Sequence, residues 1–554
     1  MLEDLTVWLR IAARELVPTG GAVAEWDYPE LARGDYATAW PLKAARQLGQ
    51  SPLVLARSLA AKLETARPAF VRRLEAVPPG FVNVWLTTVF FRQNLEQIIK
   101  TSADYGRGNL YAGQKVLVEY TDPNPFKEFH IGHLMSNTIG EALSRLIEWQ
   151  GAEVKRACYQ GDVGLHAAKA IYGKSKVKGQ KAEAWGQAYV LGAQAYDNDE
   201  TAKQEIIKLN RKIYDRSDPA TNRLYDQGRQ ASLDYFETIY RQLGTKFDFY
   251  FFESASGPIG KKIVEENLGR VFEKSAEAVV FRGERRDTSL HTRVFLTTEG
   301  LPTYEAKELG LAKLKSESYP HDLSLVVTGN EIKDYFQILL KALELIYPKL
   351  AAQTQHRPHG ILRLPTGKMS SRTGAVITAE RLIEEVKSKL VSKIGDRDYD
   401  VEAVALGAIK YAILKQAPGR DIIFNLDKSL SLAGDSGPYL QYTIVRARAV
   451  LAKAAAANLV PDPSQPESGD FKLERLLYRF PAAARRAAEN DAPNLLVTYL
   501  VSLAASFNYF YAEKIIIDQA TPAISKYRLA LTAAAAAVLA NGLSLLAIPI
   551  PERM

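Results

Sequence analysis

Three consecutive predicted elements constrain the fold more than any other feature of this chain. Residues 115–120 are rich in β-forming side chains, a turn with two prolines follows at 121–125, residues 130–149 have helical periodicity, and residues 154–159 read as a second strand. Strand, helix and strand in this order form a βαβ unit, which places two parallel strands in one sheet with the helix on its face. The chain is therefore predicted to contain an α/β domain whose ligands bind at the carboxyl ends of the strands.

The length of the chain predicts several domains. A chain of 554 residues is too long for one hydrophobic core, and roughly 150 residues per domain suggests three or four. The patterns divide it into an α+β domain (1–105), a Rossmann-type parallel-sheet domain (106–365) with a helical insertion at about 167–253, a loop with connecting helices (366–429) and an all-α domain (430–554). The predicted fold class is α/β, with an α+β domain at one end and an all-α domain at the other.

Charge and cysteine content limit the classes of partner. Lysine and arginine number 71 against 63 acidic residues, a net charge of +8 that suits a polyanion such as nucleic acid. The single cysteine, Cys158, allows neither an internal disulfide nor a cysteine-rich zinc site. No metal ligands and no protein-bound zinc are therefore expected.

No segment is predicted to be a leader or a membrane anchor. The N-terminus is amphipathic and carries acidic residues, unlike a signal peptide. The most apolar stretch, 529–546, follows Lys526 and Arg528 and is interrupted by Asn541, which favours a helix buried in a bundle. A cytoplasmic protein without membrane attachment is expected.

The first chemical motif, His130-Ile131-Gly132-His133, opens the predicted helix of the βαβ unit. The two histidines are three residues apart and share one helix face. The free N–H groups and the positive dipole of a helix N-terminus favour an anion, and Gly132 lets another group approach the backbone. The motif predicts a triphosphate site in which His130 and His133 donate hydrogen bonds to charge that builds on a phosphate in the transition state.

A second motif lies far downstream, at residues 367–374. Glycines flank a basic, hydroxyl-bearing loop that contains Lys368, Ser370, Ser371 and Arg372. Such a loop can move, and Lys368 can neutralise pyrophosphate as it leaves. Each motif alone is weak evidence, because surface histidines or a solvated turn produce the same letters. Their order, with the first motif on a βαβ unit, makes the pair informative.

Together the two motifs resemble the two signatures of the class I aminoacyl-tRNA synthetases. The surrounding segments resemble the arginyl-tRNA synthetase family in particular, at residues 80–83, 118–125, 437–448 and 541–554. The resemblance covers nearly the whole chain, although the insertion matches only loosely. It implies a ligase that uses ATP with Mg²⁺ to activate L-arginine and then transfers it to tRNA(Arg). A monomer is expected.

The resemblance also implies which residues meet the phosphates. The catalytic residues would be Lys127, His130, His133 and Lys368, and further ATP contacts would come from Gly132, Ser370, Ser371 and Arg372. The second signature usually carries another lysine where this chain has Ser371. Many arginine enzymes that lack it carry a basic residue just before the histidine motif, as Lys127 does here. The alternative for Lys127 is a solvated loop lysine.

For the amino acid, the resemblance assigns Glu119 and Asn124 to the α-amino and carboxylate end, and Tyr304 and Glu308 to the guanidinium. Tyr304 and Glu308 are four residues apart, so they share one face if the segment is helical. The family usually has aspartate where Glu308 stands, and the extra methylene moves the carboxylate by about 1 Å, enough to matter for a bidentate pair. Glu305 could contribute instead, and Glu308 could be a surface acid paired with a neighbouring lysine, Lys307 or Lys313.

Two further loops follow predicted strands. In the loop at 161–166, Asp162 is predicted either to bind the ATP ribose or to cap the next helix. In the loop at 327–331, Asn330 is predicted to border ATP and Glu331 to border arginine. Both predictions rest on the rule that ligands collect at the carboxyl ends of parallel strands.

The helical C-terminal part interleaves basic and aromatic residues, which suits RNA phosphates and unpaired bases. The residues predicted to contact tRNA are Tyr439, Gln441, Arg446 and Arg448. The resemblance implies that this part binds the anticodon and that the first domain contacts the tRNA elbow. The alternative is a helical bundle whose aromatic residues fill its core.

Two other functions fit parts of the pattern. One is a different nucleotidyl-transferring enzyme that uses a His-x-Gly-His site, which would not need the long helical half. The other is a tRNA-binding protein without catalysis, which would be free to lose His130, Gly132, His133 and Lys368.

Overall fold

The structure is a computed structural model that describes residues 2–17, 23–363, 377–395, 398–465 and 472–554. The chain forms two compact units. We call the first the terminal unit; it consists of Met1–Tyr105, Arg446–Pro481 and Ser502–Asn541. We call the second the sheet unit; it consists of Gly106–Val445, Ala482–Val501 and Gly542–Met554. The domain boundaries predicted from the sequence stay a prediction.

The first hundred residues alternate helices and strands. The helices are α1 (Leu2–Leu16), α2 (Trp40–Leu48), α3 (Pro52–Thr65) and α4 (Thr88–Thr101), and the strands are β1 (Tyr36–Thr38), β2 (Val71–Val77) and β3 (Phe81–Leu86). The strands form an antiparallel sheet in the order β1-β3-β2. The central strand β3 is the one that the alternating residues after Gly80 predict, and Val82 and Val84 at its inner face are fully buried.

The middle of the chain carries the parallel sheet and its helices. The strands are β4 (Lys115–Glu119), β5 (Glu153–Gln160), β6 (Phe249–Phe252), β7 (Glu273–Ser275), β8 (Ala278–Arg282), β9 (Thr292–Leu296), β10 (Leu323–Gly329) and β11 (Thr354–His359). The helices are α5 (Ile131–Trp149), α6 (Leu165–Lys174), α7 (Ala182–Asn198), α8 (Glu200–Asp215), α9 (Pro219–Leu243), α10 (Glu253–Glu266), α11 (Tyr304–Ser318), α12 (Lys333–Ile346) and α13 (Pro348–Gln353).

The rest of the chain is mainly helical. It contains the short strands β12 (Leu362–Arg363) and β13 (Ile422–Ile423) and the helices α14 (Ala379–Ile394), α15 (Val401–Leu414), α16 (Leu426–Ser429), α17 (Gly437–Ala456), α18 (Lys472–Leu477), α19 (Phe480–Glu489), α20 (Pro493–Glu513) and α21 (Pro522–Leu545). By length and hydropathy alone α20 and α21 could cross a membrane, but a buried core helix passes the same test. The apolar window of α21 is 72% buried, in line with the bundle helix predicted from the sequence.

The predicted α/β fold is confirmed by one five-stranded parallel sheet. Its strand order is β11-β10-β4-β5-β6, and every neighbouring pair is parallel. The strand of this sheet that comes first in the chain, β4, lies in its middle. The next strands, β5 and β6, lie on one side of β4, and the later strands, β10 and β11, lie on the other. In such a doubly wound sheet a crevice opens between the two central strands, here β4 and β10, at their carboxyl ends. This crevice is the place where a ligand is expected.

The core of the βαβ unit explains why the chain folds this way. Val116, Leu117 and Val118 of β4 are fully buried, as expected for a strand covered by helices on both faces. Helix α5 crosses close to the end of β4, because a Cβ atom at Gly140 would lie 2.2 Å from the ring carbon Cγ of Tyr120. Only glycine permits this approach.

One strand was not predicted. A loop was expected beyond Arg357, but Thr354–His359 forms β11 at the edge of the sheet, beside β10. The strand is polar and contains Pro358, so it lacks the apolar alternation that predicts a strand. Proline and polar side chains are tolerated at an edge, where one side of the backbone has no partner strand.

A single side chain links the two central strands just beyond the end of their backbone pairing, which reaches Glu119 and Val326. The hydroxyl of Ser136, in the first turns of α5, accepts a hydrogen bond from the backbone N–H of Thr121 at 2.9 Å. The same hydroxyl donates to the carbonyl of Val327 in β10 at 2.8 Å. Both Ser136 and Thr121 are buried, so neither bond can be replaced by water.

We predict that Ser136→Ala lowers the free energy of unfolding of the sheet unit by about 1–3 kcal/mol, because the buried amide of Thr121 loses its acceptor. The matched control is Ser144→Ala on the same helix. Ser144 is also buried, but its hydroxyl donates only to the Gly140 carbonyl one turn earlier, at 2.7 Å, so a loss below about 1 kcal/mol is expected. Urea unfolding followed by fluorescence measures both, and equal losses would contradict the role given to Ser136.

Candidate active site

The turn after β4 has an unusual backbone. Thr121, Asp122 and Phe126 have φ angles of +84°, +47° and +70°, in the left-handed region that non-glycine residues rarely adopt. The turn is fixed by three bonds: Thr121 N–H to Ser136, the Asn137 side-chain N–H to the Thr121 hydroxyl at 3.1 Å, and the Tyr159 N–H to the Asp122 carboxylate at 2.8 Å. Strained residues held by their surroundings in this way are a common feature of functional sites.

The two histidines of the first motif form one rigid pair at the start of α5. His130 is the N-cap residue, and its Nδ1 accepts a hydrogen bond from the Gly132 N–H at 3.1 Å. The Nδ1 of His133 accepts one from the His130 N–H at 3.2 Å. The rings stack with their centroids 3.6 Å apart. Because both Nδ1 atoms accept, both neutral rings carry their proton on Nε2, which leaves two N–H donors.

The electrostatics keep these rings uncharged. Burial, the neighbouring His130 and Lys127 lower the pKa of His133 well below its usual value. Burial and Lys127 also lower the pKa of His130. Neutral histidines at a helix N-terminus can donate hydrogen bonds to an anion and do not themselves draw a proton from solvent at neutral pH.

Gly132 separates the histidines for a steric reason. A Cβ atom at this position would lie 2.9 Å from both Cε1 and Nδ1 of His130. Any other residue would push the ring of His130 out of its stack. The glycine that the sequence analysis assigned to close approach of a ligand therefore also protects the geometry of the pair.

Lys127 lies on the turn just before the motif and is half-buried, unlike the solvated lysine of the alternative interpretation. Its ammonium lies 5.3 Å from the ring centroid of Tyr189. Burial lowers the pKa of Lys127, and the nearby carboxylate of Glu253 opposes that change. The position next to His130 suits a cation that meets a phosphate.

The second signature motif, with Lys368, Ser370, Ser371 and Arg372, lies outside the described residues. The segment that follows it is anchored to the first motif. The Ile131 N–H donates to the carbonyl of Ile377 at 3.1 Å, and the Ala379 N–H donates to the carbonyl of Phe129 at 2.9 Å. Residues 377–379 therefore lie beside the histidine pair.

Acidic side chains gather on the other side of the crevice. Glu119, at the end of β4, is buried and its carboxylate is 3.0 Å from the ammonium of Lys315. Burial and the charges of Glu119 and Glu308 raise the pKa of Asp122 well above its usual value. This cluster has one buried lysine for three carboxyl groups, so it favours an additional cation.

Glu308 is the acid best placed to receive that cation. Burial first, and then the charge of Glu119, raises the pKa of Glu308 to about 8. The lysines that could neutralise it are occupied, since Lys307 pairs with Glu253 at 2.6 Å and Lys313 pairs with Glu317 at 3.8 Å. Within the part of the chain that the structure describes, the Glu308 carboxylate has no hydrogen bond.

Tyr304, one turn before Glu308 on α11, is the other residue assigned to the guanidinium, and its side chain is 63% exposed.

The sequence analysis missed Glu253, which is buried against Lys307 and lies near Asn124. A Cβ atom at Gly161 would be 2.2 Å from Oδ1 of Asn124 and 3.1 Å from Oε1 of Glu253. Glu253 directly follows the aromatic run 249–252, which has the composition of a strand, so the rule that ligands collect at the carboxyl ends of strands could have identified it.

Asp162 does not cap the following helix, which was one of the two alternatives for it. Helix α6 has Gly164 as its N-cap and receives no side-chain cap bond. The Asp162 carboxylate is fully buried and accepts hydrogen bonds from Tyr225, from Arg229, and from the N–H and hydroxyl of Ser254, all between 2.7 and 3.1 Å. These bonds tie the insertion to the sheet edge, and ribose binding by Asp162 stays a prediction.

Asn330 and Glu331 follow β10 at the same edge. The side-chain N–H of Asn330 donates to the carbonyl of Gly419 at 3.0 Å. Glu331 is exposed, and its charge is among those that act on the pKa of His130. Both residues border the crevice near the histidines, and their assignment to ATP and arginine stays a prediction.

Among the residues assigned to tRNA, the prediction for Gln441 is wrong. Its side chain is fully buried, and its amide donates to the carbonyls of Ala403 at 2.8 Å and Pro549 at 2.7 Å. It joins core segments and offers no surface to RNA. Tyr439 is half-buried, Arg446 donates to Asn508 at 2.6 Å, and Arg448 is exposed.

Three family models match this chain. They are the arginyl tRNA synthetase N terminal domain over residues 20–86, the catalytic domain of tRNA synthetases class I (R) over 94–426, and the DALR anticodon binding domain over 440–554. The catalytic model alone covers more than half of the chain.

Named relatives agree with the family models. The arginine–tRNA ligase of Flavobacterium psychrophilum is 30% identical, with 87% of each chain covered. That of Treponema pallidum is 28% identical, with 100% of each covered. The arginyl-tRNA synthetase of Thermus thermophilus has a similar structure, with a TM-score of 0.75, 25% identity and full coverage of both chains. That of Plasmodium falciparum has a TM-score of 0.77 at 18% identity, which shows a shared fold.

We predict that Gly132→Ala lowers the rate of ATP-dependent activation by about tenfold to a hundredfold, because the displaced His130 ring no longer presents its Nε2 donor. Gly257→Ala is the control, since a Cβ atom there meets its nearest neighbour, Cγ of Pro302, at an ordinary 3.4 Å. Pyrophosphate exchange measures both variants. Equal rates for the two would contradict the steric role of Gly132.

Proposed function

We propose that this chain, which belongs to the class I arginyl-tRNA synthetases, is an arginine–tRNA ligase whose crevice between β4 and β10 performs both steps of the reaction. In the first step the carboxylate of L-arginine attacks the α-phosphate of ATP, which gives arginyl-adenylate and pyrophosphate. In the second step a terminal ribose hydroxyl of tRNA(Arg) attacks the adenylate carbonyl and releases AMP. The observation that carries the proposal is the half-buried carboxylate of Glu308, which has no ion-pair partner among the described residues and lies at the same sheet edge as the stacked histidine pair.

The phosphate step relies on donors rather than on a covalent intermediate. The Nε2–H groups of His130 and His133 donate to the α-phosphate as negative charge grows on its oxygens. The N-terminus of α5 adds its dipole, and Lys127 adds a full charge beside His130. Lys368, in the second signature motif, meets the leaving pyrophosphate. Ser370, Ser371 and Arg372 of the same loop complete the contacts to ATP.

The amino-acid step relies on the acids of the crevice. The guanidinium of arginine forms an ion pair with Glu308, and Tyr304 covers it from the exposed side. Glu253 lies close enough to Lys307 and Asn124 to shape the same pocket. Glu119 and Asn124 face the α-amino and carboxylate end, with Lys315 holding Glu119 in place. Glu331 closes the pocket on the side of β10.

ATP is used as its Mg²⁺ complex, with the metal carried in by the nucleotide phosphates. Among the described residues no cluster of three His, Cys, Asp or Glu side chains is arranged to hold a metal ion. Gly132, Asn330 and Asp162 border the nucleotide.

The anticodon and the elbow of the tRNA are recognised outside the crevice. The anticodon binding domain matched over 440–554 supports recognition of the anticodon there, with Arg446 and Arg448 of α17 as phosphate contacts and Tyr439 beside them. The first domain contacts the elbow of the tRNA. The enzyme acts as a monomer in the cytoplasm, without a membrane.

The direct test is charging of total tRNA with each of the twenty amino acids in the presence of ATP and Mg²⁺. Charging by arginine alone is expected, because a guanidinium is the cation that fits the unpaired acid. Charging by a different amino acid would keep the class I reaction and reject the arginine pocket. Binding of tRNA without any charging would reject the enzymatic function.

The role of Glu308 predicts a pH dependence. Since the pKa of Glu308 is about 8, the free carboxyl must lose its proton before it pairs with a guanidinium. The KM for arginine should therefore fall about tenfold for each pH unit gained below pH 8 and level off above it. Glu308→Gln should remove this dependence and raise the KM for arginine by about a hundredfold, with little change in the KM for ATP.

Glu305→Gln is the matched control for Glu308. Glu305 is the neighbouring buried acid on α11, and its carboxylate already faces Arg293 at 3.8 Å. Steady-state kinetics of both variants between pH 6 and 9 separate the two acids. If Glu305→Gln raised the KM for arginine more than Glu308→Gln did, the assignment of the guanidinium to Glu308 would be wrong.

A further inference from the structure

A buried carboxylate with no assigned role in the reaction lies in the middle of α5. Glu141 is 3% exposed, and its carboxylate accepts three hydrogen bonds. The donors are the Tyr120 hydroxyl at 2.5 Å, Nε of Arg145 at 2.7 Å and Nε of Arg156 at 3.1 Å. Because a buried carboxylate is costly without such donors, these contacts fix its position. Glu141 therefore joins α5, the end of β4 and the middle of β5 at one point.

Tyr120 connects this carboxylate to the crevice. It is fully buried and lies between Glu119, the last residue of β4, and Thr121, the first residue of the strained turn. Burial and the charge of Glu141 raise the pKa of Tyr120 well above its usual value, so the phenol keeps the proton that it donates. Since the backbone on either side carries Glu119 and Asn124, the anchored phenol helps to set the position of both.

Arg145 connects the same carboxylate to the ends of two other helices. Its guanidinium donates to the carbonyl of Ser544, in the last turn of α21, at 2.8 Å and to that of Gly244, the residue after α9, at 3.1 Å. The last carbonyls of a helix have no partner within the helix, and the helix dipole makes this end negative, so an arginine suits both ends. The position of Glu141 is thereby tied to the ends of α9 and α21.

Lys410 of α15 holds the same two helix ends by separate bonds. Its buried ammonium donates to the carbonyl of Leu243 at 2.6 Å and to that of Ala547 at 2.7 Å. Over the described residues it makes no hydrogen bond to Glu141. The ends of α9 and α21 are therefore fixed independently of Arg145, and they form a stable base to which Arg145 attaches.

We infer that Glu141 and Arg145 are positioning residues for the amino-acid half of the crevice. Arg145 fixes Glu141 against the ends of α9 and α21. Glu141 in turn fixes Tyr120, and with it the turn that carries Asn124. The inference rests on the proposed function, which assigns Glu119 and Asn124 to the α-amino and carboxylate end of arginine. The histidine pair is held by its own bonds at the start of α5, so the nucleotide half does not depend on Tyr120.

Tyr120→Phe tests this role, because it removes the bond to Glu141 but keeps the ring packed beside Gly140 and Phe247. In charging of total tRNA, the KM for arginine should rise by about tenfold, whereas the KM for ATP should stay within about twofold of the wild type.

Tyr411→Phe is the matched control. Tyr411 is also buried and also donates to a carboxylate, that of Asp435 at 2.8 Å, but neither residue is assigned to arginine or ATP. Loss of this bond should leave both KM values within about twofold of the wild type.

Arg145→Gln tests whether Arg145 acts through Tyr120. Alone it should raise the KM for arginine by about threefold to tenfold and leave the KM for ATP within about twofold. Combined with Tyr120→Phe it should add less than about twofold, because the bond that transmits its effect is already gone.

Circular dichroism shows which variants are folded at the assay temperature, and Arg145→Gln decides alone if Tyr120→Phe is not. Equal rises in both KM values, independent effects of the two substitutions, or a KM for arginine as small as that of Tyr411→Phe would overturn the inference. Charging by the wild-type enzyme is measured first. If it charges tRNA with another amino acid or with none, the proposed function itself fails, and that result is seen before any variant is compared.

Discussion

The carboxyl ends of β4 and β10 have to be held together before anything else in the crevice can work. The backbone pairing of the two strands ends at Glu119 and Val326, and the connections beyond it leave in opposite directions. Past that point the hydroxyl of Ser136 links the turn after β4 to β10, accepting from Thr121 and donating to Val327. Since Ser136 is in the first turns of α5, the same contact fixes the helix start that carries His130 and His133. The strained turn, the histidine pair and the acids of the crevice all depend on this junction.

Burial sets opposite charge states on the two sides of the junction. On the side of α5 it lowers the pKa of both motif histidines, so that they stay neutral donors. On the side of α11 it raises the pKa of Glu308, so that the free carboxyl holds its proton near neutral pH and gives it up when a cation binds. The same physical cause therefore prepares one wall for a phosphate and the other for a guanidinium.

The sequence was sufficient for the elements and motifs whose signals are local. The βαβ unit, the helix N-terminus at His130 and the helical C-terminal part are visible in periodicity and in short motifs. The polar edge strand β11 was missed because its existence depends on β10 beside it. Lys315 and Glu119 are 196 residues apart, so no local pattern could pair them. Gln441 was assigned to RNA from its neighbours, whereas its burial is decided by packing against distant segments.

The most direct test of the central claim is a crystal structure of the chain with a non-hydrolysable analogue of arginyl-adenylate. The account predicts the guanidinium about 3 Å from the Glu308 carboxylate and the Nε2 atoms of His130 and His133 within hydrogen-bond distance of the phosphate position. A guanidinium bound elsewhere, with Glu308 still unpaired and the histidines turned away from the analogue, would contradict it.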